Sequence, residues 1–374
     1  MVLAIRSIKE ATYFNLEEKR VLVAMSGGVD SCATAIIVKN KGYDCIGVTM
    51  RLHTPKGDEG CVTKKDIDDA RLCCDILKIP HHVVDFSQDF DKYVIGDFIS
   101  AYENGATPNP CIECNFRLKF DKLFDYANSQ GYDYVATGHY ARVEYSEKYQ
   151  RNVLKKALDL SKDQSYVLYR ISKENLERVI FPLGNVLSKS ESRKMVDDAG
   201  IPLGQKKDSQ DICFVPNGDY AKFIEEYTKK SYPVGDFVTT DGKFLGKHKG
   251  IIRYTIGQRK GLGLALDHSM YVVDKRLDTN EVVIGDTPDL MSRELWADCV
   301  NLSAIDKIDT PLRVFAKIRY KQQESPATVT LENGLLHVVF DEPQRAICKG
   351  QSVVIYDGDI VLGGGKISRV IKEV

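Results

Sequence analysis

Two groups of residues are suited to chemistry by their types and spacing. The first is Ser26-Gly27-Gly28-Val29-Asp30-Ser31, which lies between a short apolar run and a helical pattern. Backbone N–H groups at a helix start, joined by glycine amides, make an anion cradle suited to phosphate. No Gly-Lys-Ser/Thr follows, so this is not the Walker pattern, and the dinucleotide fingerprint Gly-x-Gly-x-x-Gly is absent too. A purely structural Gly-Gly turn with a capping serine is the plain alternative, and the agreement of strand, loop and helix weighs against it. The second group is Cys111-x-x-Cys114 ahead of a helical pattern, with Cys213 in a later loop. Taken alone, Cys-x-x-Cys suits zinc, iron–sulfur or redox chemistry, and a lone Cys213 suits packing.

The surrounding pattern predicts the elements that must position these groups. Val21 to Ala24 reads as a buried parallel strand, and Ser31 to Lys41 as a helix stopped by Gly42. Tyr43 to Met50 is a second strand, followed by a polar loop from Arg51 to Lys65. Ile67, Ala70, Cys73, Cys74 and Leu77 recur at helical spacing, which makes Cys73 and Cys74 core residues. His81 to Phe86 reads as a strand and Phe90 to Glu103 as a helix. Thr107 to Asn115 reads as a loop held extended by Pro108 and Pro110. A helix from Phe116 to Gln130 and a strand from Asp133 to Tyr140 complete the alternation. The fold class is therefore α/β, a doubly wound parallel sheet whose ligands bind beyond the carboxyl ends of the strands, where Gly27, Met50, Gly138 and His139 fall.

Two short helical stretches follow Lys162 to Arg170, the second running from Ser188 to Gly200, and Lys206 to Phe214 closes this part. Beyond about Tyr232 the helical period gives way to β-branched runs punctuated by glycine. The expected strands Arg313 to Ile318, Ala327 to Leu331, His337 to Phe340, Ser352 to Tyr356 and Ile360 to Leu362 suggest a small β-barrel or sandwich. The expected parts are 1–214, a catalytic α/β domain; 215–288, a β-rich central domain; and 289–374, a C-terminal β-barrel. Residues 1–19 read as an extension without a sustained period.

The 374 residues are 43% apolar, which suits globular cores, and no apolar run is long enough to cross a membrane. The N-terminal stretch lacks a signal peptide's apolar core, so the expected location is the cytoplasm, with no membrane partner. In a reducing compartment the ten cysteines serve as core residues, ligands or nucleophiles rather than as a disulfide framework. A net charge of −1 argues against a uniformly basic nucleic-acid binder but leaves room for a local basic face. Lys206, Lys207, Lys243, Lys247, Lys249, Arg253, Arg259 and Lys260 form such an excess, although a charge run by itself is usually a solvated face.

Ser-Gly-Gly-x-Asp-Ser after a strand resembles the PP-loop of the ATP pyrophosphatases, which cleave ATP to AMP and pyrophosphate. With that loop in place, the cysteines suggest sulfur chemistry on an ATP-activated substrate. The resemblance then becomes specific. Ala24-Met-Ser-Gly-Gly-Val-Asp-Ser31, Asn109-Pro-x-x-x-Cys-Asn115, Ala136-Thr-Gly-His-Tyr140, Lys162-Asp-Gln-Ser-Tyr166, Asp208-Ser-x-x-Ile-Cys-Phe214, Gly257-Gln-Arg-Lys-Gly-Leu-Gly263 and Leu362-Gly-Gly-Gly365 stand in this order. From about Arg20 to the C-terminus the chain resembles the bacterial tRNA-specific 2-thiouridylase (MnmA/TrmU) family.

The resemblance implies ATP-dependent replacement of the C2 oxygen of the wobble uridine, position 34 of the tRNA, by sulfur. ATP and Mg2+ are the implied small partners, with Ala24, Met25, Ser26, Gly27, Gly28, Val29, Asp30, Ser31, Met50 and Gly138 at the nucleotide and Asp30 near the magnesium. Cys114 is the implied attacking residue and Cys213 the persulfide carrier, the two joining in a transient disulfide. A thiol near a helix N-terminus has a lowered pKa, which would favour thiolate at Cys114. Asn109, Pro110 and Cys111 are implied beside the flipped base, and His139, Lys162, Asp163, Gln164, Arg319, Tyr320 and Gln351 in contact with tRNA. By its residue type alone, His139 reads as a core histidine.

Many relatives carry Asp where this chain has Cys111, so an acid/base role does not transfer. Related three-cysteine thiolases imply a second route, in which Cys111, Cys114 and Cys213 hold a [4Fe–4S] cluster. Both routes stay open at this point. Cys32, Cys45, Cys61, Cys299 and Cys348 read as packing residues. The implied macromolecular partners are tRNA with U34 (Lys, Glu and Gln isoacceptors) and a cysteine desulfurase or sulfur carrier as donor; the oligomeric state is open. Competing readings are a PP-loop enzyme that adenylates a small molecule, and a tRNA-binding or sulfur-carrier protein with a vestigial ATP site. The first leaves the cysteines and the β-rich third unexplained, and the intact loop argues against the second.

Overall fold

The computed structural model describes residues 19–53, 61–206, 212–215 and 218–372. The expected extension up to Glu18, residues 54–60 of the polar loop after the second strand, Lys207 and the Asp208-Ser209 start of the Cys213 motif lie outside the described residues.

Strand β1 (Arg20–Ala24) is the centre of a five-stranded sheet in which Val21, Leu22 and Val23 are fully buried. Leu22 faces one core while Val21 and Val23 face another, so the strand is covered on both sides. Each such apolar side chain contributes roughly 1.5–3 kcal/mol on burial, which makes this run a central strand. Its companions are β2 (Asp44–Arg51), β3 (His81–Asp85), β4 (Tyr134–Ala136) and β7 (Val179–Ile180), in the order β3-β2-β1-β4-β7. Every pairing is parallel, as the alternation predicted. Helix α1 (Val29–Asn40) leaves the tip of β1, and α2 (Lys64–Leu77) crosses from β2 to β3. Cys73 and Cys74 are fully buried on α2, as expected.

Three elements differ from the sequence pattern. The expected strand Asp133 to Tyr140 ends at Ala136, because the chain must turn there to bring Gly138 against α1. The next residues form a hairpin with no sequence expectation, β5 (Ala141–Ser146) and β6 (Arg151–Lys156). The expected loop up to Asn115 is already helical from Pro110, and Pro110–Cys114, Asn115–Lys122 and Leu123–Ser129 form one continuous helical run. Pro110 sits in the first turn, where its missing N–H costs nothing and its fixed φ suits a helix. The middle piece has π hydrogen bonding, which widens the turn directly after Cys114.

A second sheet contains β8 (Gly235–Thr239), β9 (Phe244–His248), β10 (Tyr271–Arg276) and β11 (Glu281–Gly285) in the order β10-β11-β8-β9. The last six strands are β12 (Met291–Leu302), β13 (Leu312–Lys317), β14 (Ser325–Glu332), β15 (Leu335–Arg345), β16 (Ser352–Asp357) and β17 (Ile360–Ile371). They run β12-β15-β14-β13-β16-β17, and pairing of β12 with β17 closes the ring. Closure removes both free edges, and this decides for a barrel over a sandwich. The hairpin β5–β6 adds to the outside of this sheet through Lys155 opposite Ile360, tying the first domain to the barrel.

At the closing seam Gly363 pairs with Leu302, and a Cβ there would lie 2.1 Å from the Asn301 carbonyl oxygen. Its φ of 152° also lies where side chains are strained. Gly363→Ala is predicted to destabilise the fold by about 1–3 kcal/mol, read as a lower urea midpoint. An unchanged midpoint would show that the seam does not need this close approach.

Candidate active site

The phosphate loop is shaped by what presses on it. Gly27 has φ +69°, and a Cβ on it would lie 2.2 Å from the Asp66 carbonyl oxygen in the first turn of α2. Only glycine satisfies both conditions. Ser31 Oγ donates to the Gly28 carbonyl (2.9 Å) and accepts from the Ser26 N–H (3.2 Å), so the loop is closed on itself. The first N–H groups of α1 have no partners within the helix and open toward the loop. Met25 and Met50 are buried beneath it, and Ala24 ends β1. Gly138 comes from the other side, where a Cβ would meet the Asp30 backbone at 3.0 Å.

Lys206 joins three pieces of this floor. Its Nζ donates to the Gly27 carbonyl (3.0 Å), Asp66 (2.8 Å) and Asp69 (2.6 Å). Burial would lift the Asp66 carboxyl, but the bonds from Lys206 and Thr63 outweigh it and hold it below its ordinary value. Asp30 is also engaged: Lys189 Nζ lies 2.6 Å from both of its oxygens, and the Tyr140 hydroxyl donates to it at 2.8 Å.

The cysteines gather near this floor. Cys213 Sγ lies 2.7 Å from Cys61 Sγ, a contact between residues far apart in sequence. Cys61 stands just before the capping box of α2, in which Thr63 and Asp66 satisfy one another. Phe214, next to Cys213, is locked edge-on against Phe90 (5.7 Å) and Phe98 (5.1 Å). The hydrogen bond from Cys61 pulls the Cys213 thiol below its ordinary value against the effect of burial, with help from Lys119 and nearby backbone donors. Cys61 is correspondingly pushed up, by that same bond first and by burial second. Burial pushes the Cys114 thiol up to about 12, with Cys213 and Cys111 adding to it against the pull of Lys119. The expectation of a lowered Cys114 pKa is therefore corrected. Cys114 is the fifth residue of a helical run, past the free N–H groups, and its burial dominates.

The C-terminal barrel reaches back to hold the cysteine helix. Gln351 Nε2 donates to the Thr107 carbonyl (2.9 Å) and the Pro108 carbonyl (3.2 Å), and the Thr107 N–H donates to the Lys349 carbonyl (2.8 Å). Asn109 and Pro110 follow directly, so the barrel fixes where the helix begins. Arg170 pairs with Glu113 and lies 3.9 Å over the Phe116 ring, while Asn115 Nδ2 donates to the Val167 carbonyl (3.1 Å). Tyr320 is half-buried beside Tyr166 (6.2 Å), and burial, Asp163 and Cys111 all raise its pKa, so these groups share one region.

Three family models match the chain: the tRNA methyl transferase HUP domain over residues 19–217, the tRNA methyl transferase PRC-barrel domain over 221–286 and the aminomethyltransferase beta-barrel domain over 292–367. The tRNA-specific 2-thiouridylase MnmA of Acetivibrio thermocellus is 47% identical, covering 94% of this chain and 100% of that one. The protein of the same name from Clostridioides difficile is 47% identical over 94% of this chain and 98% of its own. The chain belongs to the MnmA family.

Packing sets the surroundings of the other residues named by the family motifs. His139 is only 8% exposed, with Nδ1 2.6 Å from Thr137 Oγ1 and its ring packed with those of Phe120 and Phe181. Burial holds its pKa well below the usual value, so it is a neutral, buried imidazole. Asp163 is buried and accepts from the Ala157 and Ser165 N–H groups and the Ser165 hydroxyl. Gln164 Oε1 accepts from the Tyr140 N–H (2.9 Å). Of this triplet, the half-buried Lys162 is the one whose side chain is not committed to the turn. Arg319 points inward, to the Ala346 carbonyl and Cys348 Sγ, where phosphate was expected.

Among the residues read as packing, Cys32, Cys45 and Cys348 are buried, but Cys299 is exposed and Cys61 belongs to the site. Among the described residues, no group of three or more His, Cys, Asp or Glu side chains is placed to hold a metal ion. Cys61, Cys111, Cys114 and Cys213 act on one another electrostatically, and the one sulfur–sulfur contact given by distance is that between Cys213 and Cys61.

Two site residues, Cys61 and Lys119, had escaped the sequence reading. Lys119 had a legible signal: it lies five residues after Cys114, one turn of a π-widened helix. Cys61 had none, since its partner is set by tertiary contact alone. From the Cys213 and Cys114 shifts, limiting iodoacetamide at pH 7.5 is predicted to label Cys213 well before Cys114, measured by peptide mass spectrometry. Equal labelling rates would contradict this ordering.

Proposed function

We propose that this chain is a tRNA-uridine 2-sulfurtransferase that uses ATP to exchange the C2 oxygen of the wobble uridine for sulfur. The observation that carries the reading is the joining of the phosphate loop to the Cys61–Cys213 pair through the first turn of α2 and Lys206. A nucleotide end and a sulfur end are thereby built on one floor. The C2 oxygen of a uracil ring is a poor leaving group. Its attack on the α-phosphorus of ATP forms an adenylate and expels pyrophosphate into the amides of Gly27 and Gly28. Sulfur carried on Cys213 then attacks C2, and AMP departs with the original oxygen. Cys114 takes up the remaining bond to Cys213, leaving a disulfide to be reduced.

The parts divide this work: 1–214 for nucleotide and sulfur chemistry, with 215–288 and 289–374 gripping RNA. The base must leave its loop to reach the site. Asn109, Pro110 and Cys111 lie where it would enter, with Tyr320 offering a stacking face and Lys162 a phosphate contact. The Asp30 carboxylate is chemically suited to magnesium, which would neutralise phosphate charge there, once Lys189 turns from it to the nucleotide. The Cys61–Cys213 contact favours the persulfide route over a [4Fe–4S] cluster held by Cys111, Cys114 and Cys213. U34-bearing Lys, Glu and Gln tRNAs, a cysteine desulfurase or sulfur carrier as donor, and a cytoplasmic setting complete the proposal.

Asp30→Ala is predicted to abolish thiolation while tRNA affinity stays within about twofold, because the carboxylate serves the nucleotide end. Nucleoside mass spectrometry and filter binding would measure the two effects. Normal thiolation by that variant would remove the adenylation step. Cys114→Ala and Cys213→Ala are each predicted to abolish 2-thiouridine formation. Protein purified without oxygen is predicted to contain no stoichiometric iron, and bound iron lost in Cys111→Ala would reinstate the cluster route.

A further inference from the structure

The thiol that touches Cys213 is Cys61, and the proposed sulfur transfer gives it no task. Its sulfur is 2.7 Å from that of Cys213, whereas no Cys114–Cys213 contact of comparable closeness is present. Both members of the pair are anchored. Cys61 is fixed by its N–H bond to the His53 carbonyl (3.3 Å) and by the capped start of α2 two residues later. Cys213 is fixed by buried Phe214 and Val215 on one side. On the other side Lys206 is tied to Asp66 and Asp69 of the same helix. The pair therefore lies across a held seam, and Cys213 retains an exposed surface for an incoming donor.

We propose that Cys61 is the resolving thiol for Cys213: it attacks Sγ of the Cys213 persulfide, forms a Cys61–Cys213 disulfide and releases the outer sulfur as hydrosulfide. The step balances. The Cys213 Sγ–outer-sulfur bond breaks as the Cys61–Cys213 bond forms, and the proton of the Cys61 thiol leaves on the hydrosulfide. The Cys61 sulfur is oxidised to the disulfide level while the outer sulfur is reduced to sulfide, and Cys213 Sγ keeps its oxidation level. An external dithiol then restores both cysteines for the next cycle. A hydrosulfide set free beside the phosphate loop is the nucleophile the adenylated base needs, so this deepens the sulfur-transfer reading and rests on it for the role of Cys213. Cys61 thereby takes the part at the carrier given above to Cys114, and the outer sulfur reaches C2 as free hydrosulfide instead of while held on Cys213.

The test uses the full-length reduced protein without ATP or tRNA, with inorganic polysulfide as the sulfur source. Hydrosulfide is trapped with monobromobimane, and linked peptides are mapped by mass spectrometry without reduction. The expected result is a Cys61–Cys213 linked peptide with stoichiometric hydrosulfide. In Cys61→Ser the Cys213 persulfide should accumulate, and release should fall about tenfold or more. A Cys114–Cys213 peptide alone, or an equally short-lived persulfide in Cys61→Ser, overturns the proposal. Should Cys61→Ser fail to fold, the wild-type peptide map decides by itself. In a parallel reaction with ATP, magnesium and tRNA added, thiolation without any Cys61–Cys213 link overturns this proposal and leaves the broader function intact. The link without any thiolation supports this step and overturns the broader function.

Discussion

The site depends on the close approach of Gly27 to the first turn of α2, made permanent by the ammonium group of Lys206. The carbonyl of Asp66 occupies the space where a side chain on Gly27 would be, and Lys206 bonds at once to the loop and to two carboxylates of that turn. Charge-assisted bonds of this kind contribute about 1.5–3 kcal/mol each when shielded from water. They pull together three places that are far apart in sequence: the loop after β1, the start of α2 and Lys206. Without that tie the phosphate cradle and the sulfur carrier would be independent features of one domain.

The second constraint comes from the barrel. A closed ring of six strands has no edge to slip, so the loop that carries Lys349 and Gln351 is a rigid point from which to hold another element. It holds the residues immediately before the cysteine helix, and Pro110 then starts the helix at a fixed place. Lys366 of β17 adds an ion pair to Asp97 (3.0 Å), and the Tyr166 hydroxyl donates to the Ser352 carbonyl (2.7 Å). The domain expected to grip RNA therefore also sets the position of the chemistry. Changes in the barrel are coupled to Cys111 and Cys114 through backbone carbonyls, without any long relay.

Electrostatics divides the thiols into different states. The contact with Cys61 holds the Cys213 thiol below its ordinary pKa, whereas burial pushes Cys114 up to about 12. Lys119 influences both, and the π-widened turn after Cys114 brings it to the same side of the helix. Its ammonium group supplies local positive charge in a chain whose net charge is close to zero.

How much was legible follows from the range of each interaction. The strand–loop–helix around Ser26 to Ser31 could be read from the sequence because it is local: an apolar run, two glycines and a capped helix determine one another over a few residues. The parallel sheet followed from the alternation of such units, and the barrel strands from their period. Cys111 and Cys114 were visible as a motif, but the start of their helix was misplaced, since Pro110 suits either an extended loop or a first turn and only the clamp from Gln351 decides. His139, Asp163 and Arg319 looked outward by motif and are turned inward by packing. Cys61 was indistinguishable from a packing residue. The local chemistry of the phosphate loop was thus determined by the sequence itself. Which sulfur meets which, and which polar side chains remain free, was decided only by tertiary structure, because those pairings join segments that nothing in the local pattern relates.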